Sequence, residues 1–212
     1  MSPKEKNLSP KHRFFRRYLM CLAVVAVALL FLPIAGDFRE YLVNDKQFAE
    51  IIETNSKRYH IDKELIRAVI FEESKFQVNT RGKAGEIGLM QILPKASVVD
   101  WARVHKRKVP TNYELFNPEL NIAIGTWYLN RVMQRYQESD EKIELALSAY
   151  NAGYKNADKY RKLSRENKKS VIENIDIAST KRYVIKIMKR YEKYKKASAK
   201  QQKQETKNET KN

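Results

Sequence analysis

The chain contains one cysteine, Cys21, and three histidines, His12, His60 and His105. A single thiol offers no disulfide framework, and Cys21 stands early in an apolar run rather than at its end, where a lipid-modified cysteine sits. Neither residue type clusters, so no metal site and no cofactor is expected. No internal repeat of roughly 20 to 50 residues is visible. The 212 residues allow one domain of roughly 150 residues with appendages, and there is no second core to find. Any exported fold must therefore be stable through one core alone.

What the chain has in excess is positive charge, formally +17. Residues 1–17 carry Lys4, Lys6, Lys11, Arg13, Arg16 and Arg17 against Glu5, a net +5, and residues 186–212 carry ten Lys or Arg against three Glu, a net +7. Only +5 remains for the middle. Nucleic-acid binding calls for a basic stripe across a folded face with stacking aromatics or a known module, and none is present. Anionic polymers or lipid headgroups fit the C-terminal charge better, through weak, salt-sensitive attraction.

The N-terminal charge precedes an apolar run from Leu19 to Ala35, interrupted late by Pro33 and bordered by Tyr18 and Phe38. A basic segment ahead of such a run keeps its own side cytoplasmic. The run is about long enough to cross a bilayer, and the border Ile34-Ala35-Gly36 is a poor cleavage site. Residues 18–36 therefore read as a transmembrane signal anchor behind a cytoplasmic segment, 1–17; cleavage and secretion is the alternative. In both cases the remainder faces outward. Residues 37–44 form a juncture, 45–194 the folded domain, and 195–212, with no hydrophobic residue larger than Ala, a disordered basic tail.

The domain is organised around residues 61–92. Asp62 is placed to cap a helix, Glu64 sits in its first turn, and Ile61 and Ile66 hold the positions of a hydrophobic staple. Leu65, Ile66, Val69 and Ile70 recur at the three-and-four spacing of one buried stripe. The next position of that stripe is Glu73. At ~100° per residue, Glu73 lies within roughly 20° of the stripe's centre and Glu72 about 90° away. A carboxyl aimed at an apolar wall has its charged form disfavoured and can stay protonated near neutrality, the property a general acid needs. A buried Glu paired with Lys or Arg is the plainer alternative.

The other segments read as a mainly α fold. A helix from Asp45 to Tyr59 turns Phe48, Ile51, Ile52 and Tyr59 inward. Pro94 to Lys106 forms another, with Trp101 and His105 as core and its edge. Asn117-Pro118 starts a third, carrying Leu120, Ile124, Trp127, Val132 and Tyr136. Asp140 caps a helix that Gly153 stops. Residues 155–174 form a polar, Lys-rich connection, and Ser179 caps a last helix with Tyr183, Val184, Ile187, Met188, Tyr191 and Tyr194 along one face. Glu86, in the Gly-bearing segment before Gly88, is either a loop charge or a second carboxylate.

Glu73-Ser74, then Gly88-Leu89-Met90-Gln91-Ile92, then Tyr150-Asn151-Ala152-Gly153 resemble, in order and spacing, the catalytic domain of soluble-type lytic transglycosylases, of the goose-type lysozyme-like superfamily. The resemblance covers about Phe48 to Tyr191. It implies a lysozyme-like helical domain that cleaves peptidoglycan glycan strands, with Glu73 as the catalytic acid and Ser74, Met90, Gln91, Tyr150, Asn151 and Tyr183 at the substrate. In many relatives an acidic residue stands where Ser179 stands here, and a small one where Glu86 does. Hydrolytic glycosidases ordinarily use two carboxyl groups. The resembled enzymes manage with one, because the C6 hydroxyl of N-acetylmuramic acid (MurNAc) attacks its own C1 and leaves a 1,6-anhydro end. A goose-type muramidase using Glu86, or an inactive wall-binding scaffold, are the competing readings. Anionic wall polymers then become the expected partners of the tail.

Overall fold

The apolar stripe that opens at Leu65 becomes the central helix of an all-helical domain. The computed structural model describes Tyr18, Met20 and residues 45–209. The chain divides into two units, Met1–Asn44 and Asp45–Asn212. In the first, only Tyr18 and Met20 are described, both helical and exposed. The basic segment 1–17, the rest of the anchor 18–36, Cys21 and the juncture 37–44 lie outside the described residues. Among the described residues, no helix is long and apolar enough to cross a membrane.

In the second unit a 3-10 turn leads into α1 (Ala49–Tyr59), which ends at His60 in the left-handed conformation, and α2 (Lys63–Ser74) follows. A π turn at Pro94–Val98 opens α3 (Val99–Val104), and a 3-10 turn at Glu114–Phe116 precedes α4 (Pro118–Arg135). Then come α5 (Lys142–Ala152), α6 (Tyr154–Asn167), the short α7 (Val171–Asn174) and α8 (Ala178–Glu209). Among the described residues there is no strand, only isolated bridges of Ile87 with Arg81 and Ile92.

Helix α2 is buried on more than one face. Leu65, Ile66, Ala68, Val69 and Ile70 are all inaccessible, which marks a core helix rather than a surface one. α1 packs on it from one side and α8 from another, while α5 packs against both α4 and α8. Helix α8 runs antiparallel to α2. Down its length Tyr183 meets Glu73, Arg190 meets Glu72, Tyr191 donates to Asp62, and Ser198 Oγ donates to Glu64 Oε1 at 2.7 Å.

Several local expectations are corrected. Asp62 occupies the N-cap position, but its carboxylate turns to Tyr191 instead of capping α2. Asp140 does not cap α5: Glu141 stands at that position, and its carboxylate accepts from Val171 N at 2.9 Å and so ties α7 to the bundle. Residues 155–174 are mostly helical, because Ala157 and Tyr160, one turn apart, give a narrow stripe that buries on α5. Ser179 lies inside the first turn of α8, and the buried hydroxyl beside it, Thr180 Oγ1, donates to Asn151 Oδ1 at 2.8 Å. Helix α8 also continues past Lys195 to Glu209, where a disordered tail was expected. Lys, Gln, Ala and Glu are good helix formers, and Ser198 fastens the first turn of the extension to α2. The Asn117 cap is as expected, with its side chain accepting from Leu120 N at 2.9 Å ahead of Pro118.

Candidate active site

Glu72 and Glu73 are consecutive near the end of α2, and the helix turns them to different surroundings. Glu72 has a side-chain exposure of 8% and a cation on each oxygen: Arg190 reaches Oε1 at 3.1 and 3.2 Å, and Lys75 reaches Oε2 at 3.2 Å. The guanidinium also lies 3.5 Å over the Phe71 ring. Glu73 has no ion pair among the described residues. Its Oε1 accepts a hydrogen bond of 2.6 Å from the Tyr183 hydroxyl of α8. Although the residue keeps some solvent access, protein encloses most of its carboxyl, and that burial pushes its pKa up to about 7. The Tyr183 bond acts downward, the negative charges of Glu86 and Glu72 act upward, and Lys75 acts weakly downward. A carboxyl that is half protonated near neutrality can both give and take a proton at working pH.

Two residues in the left-handed conformation, Lys75 and Phe76, reverse the chain immediately after α2. Such non-glycine conformations cost energy and persist only where packing holds them. Here Phe76 is buried, stacked on Phe48 with centroids 6.0 Å apart. The reversal brings residues 79–92 back across the end of α2, where Ser74 Oγ donates to Leu89 O at 2.8 Å. Asn121 of α4 holds the same loop from beneath. Fully buried, it donates to Ile87 O (2.9 Å) and Leu115 O (2.7 Å) and accepts from Met90 N (2.9 Å). The loop can approach this closely because of two glycines. A Cβ on Gly88, at φ +77°, falls 2.3 Å from Asn121 Nδ2, and one on Gly125 falls 2.5 Å from Met90 Sδ.

The structure therefore separates the sequence candidates into two groups. Ser74 is 4% exposed and Met90 inaccessible, so neither side chain faces a groove. Both were expected at the substrate; instead Ser74 pins the loop, and Met90 fills the space that Gly125 leaves open. Gln91, Tyr150, Asn151 and Tyr183 retain surface. Gln91, at φ +44°, spends its amide on Gly88 O and Thr80 O, at 2.8 and 3.1 Å. Tyr150 donates to Met90 O at 2.8 Å and stands 5.4 Å from the Tyr128 ring. Gln91, Tyr128 and Tyr150 line a cleft with Ile92, Leu93, Ala96 and Ser97. Burial, and then the charge of Glu73, raises the hydroxyl pKa of both Tyr150 and Tyr183 well above the ordinary tyrosine range, so both remain neutral donors. Glu86 is folded back on its own turn, with Oε2 accepting from Ala84 N at 2.9 Å.

Asn121, Arg190 and Tyr128 were missed from sequence. Asn121 alone left a trace, an amide inside the apolar run of α4. Among the described residues no cluster of His, Cys, Asp and Glu suited to a metal is present.

A carboxyl half protonated near neutrality at the end of a core helix, with Tyr150 of α5 and Tyr183 of α8 close to it, is an arrangement suited to acid catalysis. Residues 50–173 match the family model described as the transglycosylase SLT domain. The chain belongs to that family, the lytic transglycosylases of the lysozyme-like superfamily, and is an enzyme. A relative called membrane-bound lytic murein transglycosylase E, from Buchnera aphidicola subsp. Baizongia pistaciae, is 31% identical over 67% of this chain and 68% of its own length. The protein of that name from Buchnera aphidicola subsp. Acyrthosiphon pisum is 24% identical over 87% of this chain and 89% of its own. The fold also resembles that of an inactive mutant of lytic transglycosylase Slt from Pseudomonas aeruginosa, with a TM-score of 0.58 and 24% identity over 67% of this chain. The matched region is only 23% of that longer protein.

Proposed function

We propose that the protein cleaves the β-1,4 bond between MurNAc and N-acetylglucosamine (GlcNAc) in peptidoglycan without water, leaving 1,6-anhydro-MurNAc ends. The observation that carries this reading is that one carboxyl, Glu73, is enclosed, has no ion pair among the described residues and has its pKa pushed up to about 7, while Glu86 is tied to Ala84 N. Protonated Glu73 gives its proton to the glycosidic oxygen as the C1–O bond breaks. The MurNAc acetamido oxygen shields the electron-poor C1. Ionised Glu73 then takes the C6 hydroxyl proton as O6 bonds to C1, which returns the acid to its starting form. Tyr183 orients the carboxyl, and Gln91, Tyr150 and Asn151 bind the sugars. Ser74 and Met90 act through the loop they support.

The names of the Buchnera relatives support attachment to a membrane, for which residues 18–36 serve as a single anchor with the domain on the extracytoplasmic face. At the other end of the domain, the lysines from Lys186 to Lys207 recur on α8 every three or four residues. This exposed row lies opposite the face that carries Val184, Ile187 and Tyr191, and is suited to anionic wall polymers. Mass analysis of digested sacculi tests the reaction. Anhydro ends, one water lighter than reducing ends, are expected; reducing ends overturn the reading in favour of a muramidase in which Glu86 places water.

A further inference from the structure

The cleft beside Tyr150 is small, about 40 Å³, whereas a cavity of about 570 Å³ opens where the loop 79–92 begins. The larger volume is that of a small-ligand pocket. Asn79, Tyr113, Glu114, Phe116, Asn117 and Leu120 line it, and the proposed reaction uses none of them. Two sets of hydrogen bonds fix this cavity against the loop that carries Gln91. Asn121 donates both to Ile87 O in the loop and to Leu115 O in the 3-10 turn that lines the cavity. Thr80 O, next to Asn79, accepts from Gln91 Nε2 at 3.1 Å and from Gly88 N at 2.9 Å.

Tyr113 is 86% exposed, more than any other large hydrophobic side chain among the described residues, and its ring and hydroxyl have no partner among them. Phe116 adds a second ring, with the Arg81 guanidinium 4.7 Å from its centroid. Asn117 gives its Oδ1 to Leu120 N and leaves its Nδ2 unused, and the Asn79 side chain makes no hydrogen bond among the described residues. Glu114 accepts from Thr111 N and Oγ1, both at 2.7 Å, and those bonds, the backbone one first, hold its pKa below the ordinary value. The lining therefore combines exposed aromatic surface, unspent amides and a carboxylate, and it contains no cation. We propose that this cavity is a distal subsite for the glycan strand: the Tyr113 ring stacks on the apolar face of a GlcNAc unit away from the bond that is cut, while Asn79, Asn117 and Glu114 take its hydroxyls and acetamido group. The inference rests on the reading of the protein as a glycan-cleaving enzyme. A sugar has one apolar face and a rim of hydroxyls, which is what a ring beside amides and a carboxylate receives. The stem peptides of peptidoglycan are rich in carboxylates and would meet the charge of Glu114 with no cation in the lining to offset it.

A subsite of this kind adds affinity without touching the reacting bond, and only for strands long enough to reach it. The experiment uses the full chain with Tyr113→Ala and Tyr113→Trp, and measures kcat and KM on long peptidoglycan strands with their stem peptides, on long strands freed of peptide, and on a tetrasaccharide. An exposed ring can be removed without loss of fold, which melting temperature checks. Tyr113→Ala is expected to raise KM about fivefold on both kinds of long strand, with kcat and the tetrasaccharide KM within about twofold of wild type. Tyr113→Trp keeps an aromatic face and should keep the wild-type KM. Binding is read without turnover in Glu73→Gln by calorimetric titration with a β-1,4-linked GlcNAc hexamer, whose affinity should fall about fivefold when Tyr113→Ala is added. An unchanged KM for Tyr113→Ala on long strands, an equal loss on the tetrasaccharide, a loss confined to strands that carry peptides, or an unchanged affinity for the hexamer overturns the inference. Activity surviving in Glu73→Gln would instead remove the underlying reading of Glu73, and leaves the hexamer titration to decide the subsite.

Discussion

Replacing Glu73 by Gln should make the protein more stable, and only above a particular pH. In the fold this carboxyl titrates at about 7, against an ordinary value of 4.5. Folding therefore favours the neutral form. Below about 4.5 both folded and unfolded chains are protonated there, and no penalty exists. As pH rises from about 4.5 to about 7 the unfolded chain releases its proton first, and folded-state stability falls; above about 7 the loss is complete. The whole loss is at most ~3 kcal/mol, since each pH unit between the two values corresponds to ~1.4 kcal/mol. Partial water access at Glu73 makes that an upper figure. Gln cannot ionise, and its carbonyl oxygen can still accept from Tyr183. At ~2–4 °C per kcal/mol for a chain of this size, the variant should melt roughly 5–10 °C above wild type at pH 8, and near it at pH 4.5. Thermal unfolding followed by circular dichroism at both pH values, beside a turnover assay, measures this. A gap in melting temperature that is the same at both pH values would refute the reasoning, because it would place the gain in packing rather than in the proton.

Tyr183→Phe deletes the bond that lowers the Glu73 pKa, so the alkaline limb of the pH–rate profile should move upward while kcat falls; a limb that stays in place argues that the phenol does not touch the working carboxyl. Asn121→Ala leaves Met90 N and the carbonyls of Ile87 and Leu115 without their buried partner, at a cost on the order of 3 kcal/mol, and amide exchange across residues 87–92 should quicken well beyond that elsewhere. Gly125→Ala forces Met90 aside and should cost about 1–3 kcal/mol by overpacking, with kcat reduced although neither residue reaches the cleft. Reversing Lys189, Lys196, Lys200 and Lys203 to Glu should abolish retention on linear polyphosphate at low salt. The same four changes at Lys95, Lys108, Lys162 and Lys168 should retain most of it; equal losses would mean that net charge alone acts.

The path from residues to fold was clearest where one periodic signal dominated. The spacing of Leu65, Ile66, Val69 and Ile70 led directly to Glu73, and Asn117-Pro118 marked a helix start by local chemistry. Helix α6 was not legible, because Ala157 and Tyr160 stand among lysines, and their burial depends on α5, a long-range partner. The tail was read from composition alone, which cannot register that Ser198 has Glu64 to hold. At the site, the motifs that singled out Ser74 and Met90 carried no sign that both side chains are buried. Met90 turns inward where Gly125 leaves room and Asn121 Oδ1 accepts from its amide, 35 and 31 residues further on, while Ser74 turns to Leu89 O. The pairing of Arg190 with Glu72 spans still more sequence and leaves no local pattern.

The hydroxyl that steers Glu73 arrives 110 positions later, on the last helix described. During synthesis the Glu73 carboxyl is made early and its hydrogen-bond partner late. A partly emerged chain thus carries α2 and the loop across it without the element that orients the carboxyl. The surroundings of the Glu73 carboxyl are completed only in the closing step of folding, when α8 docks on α2.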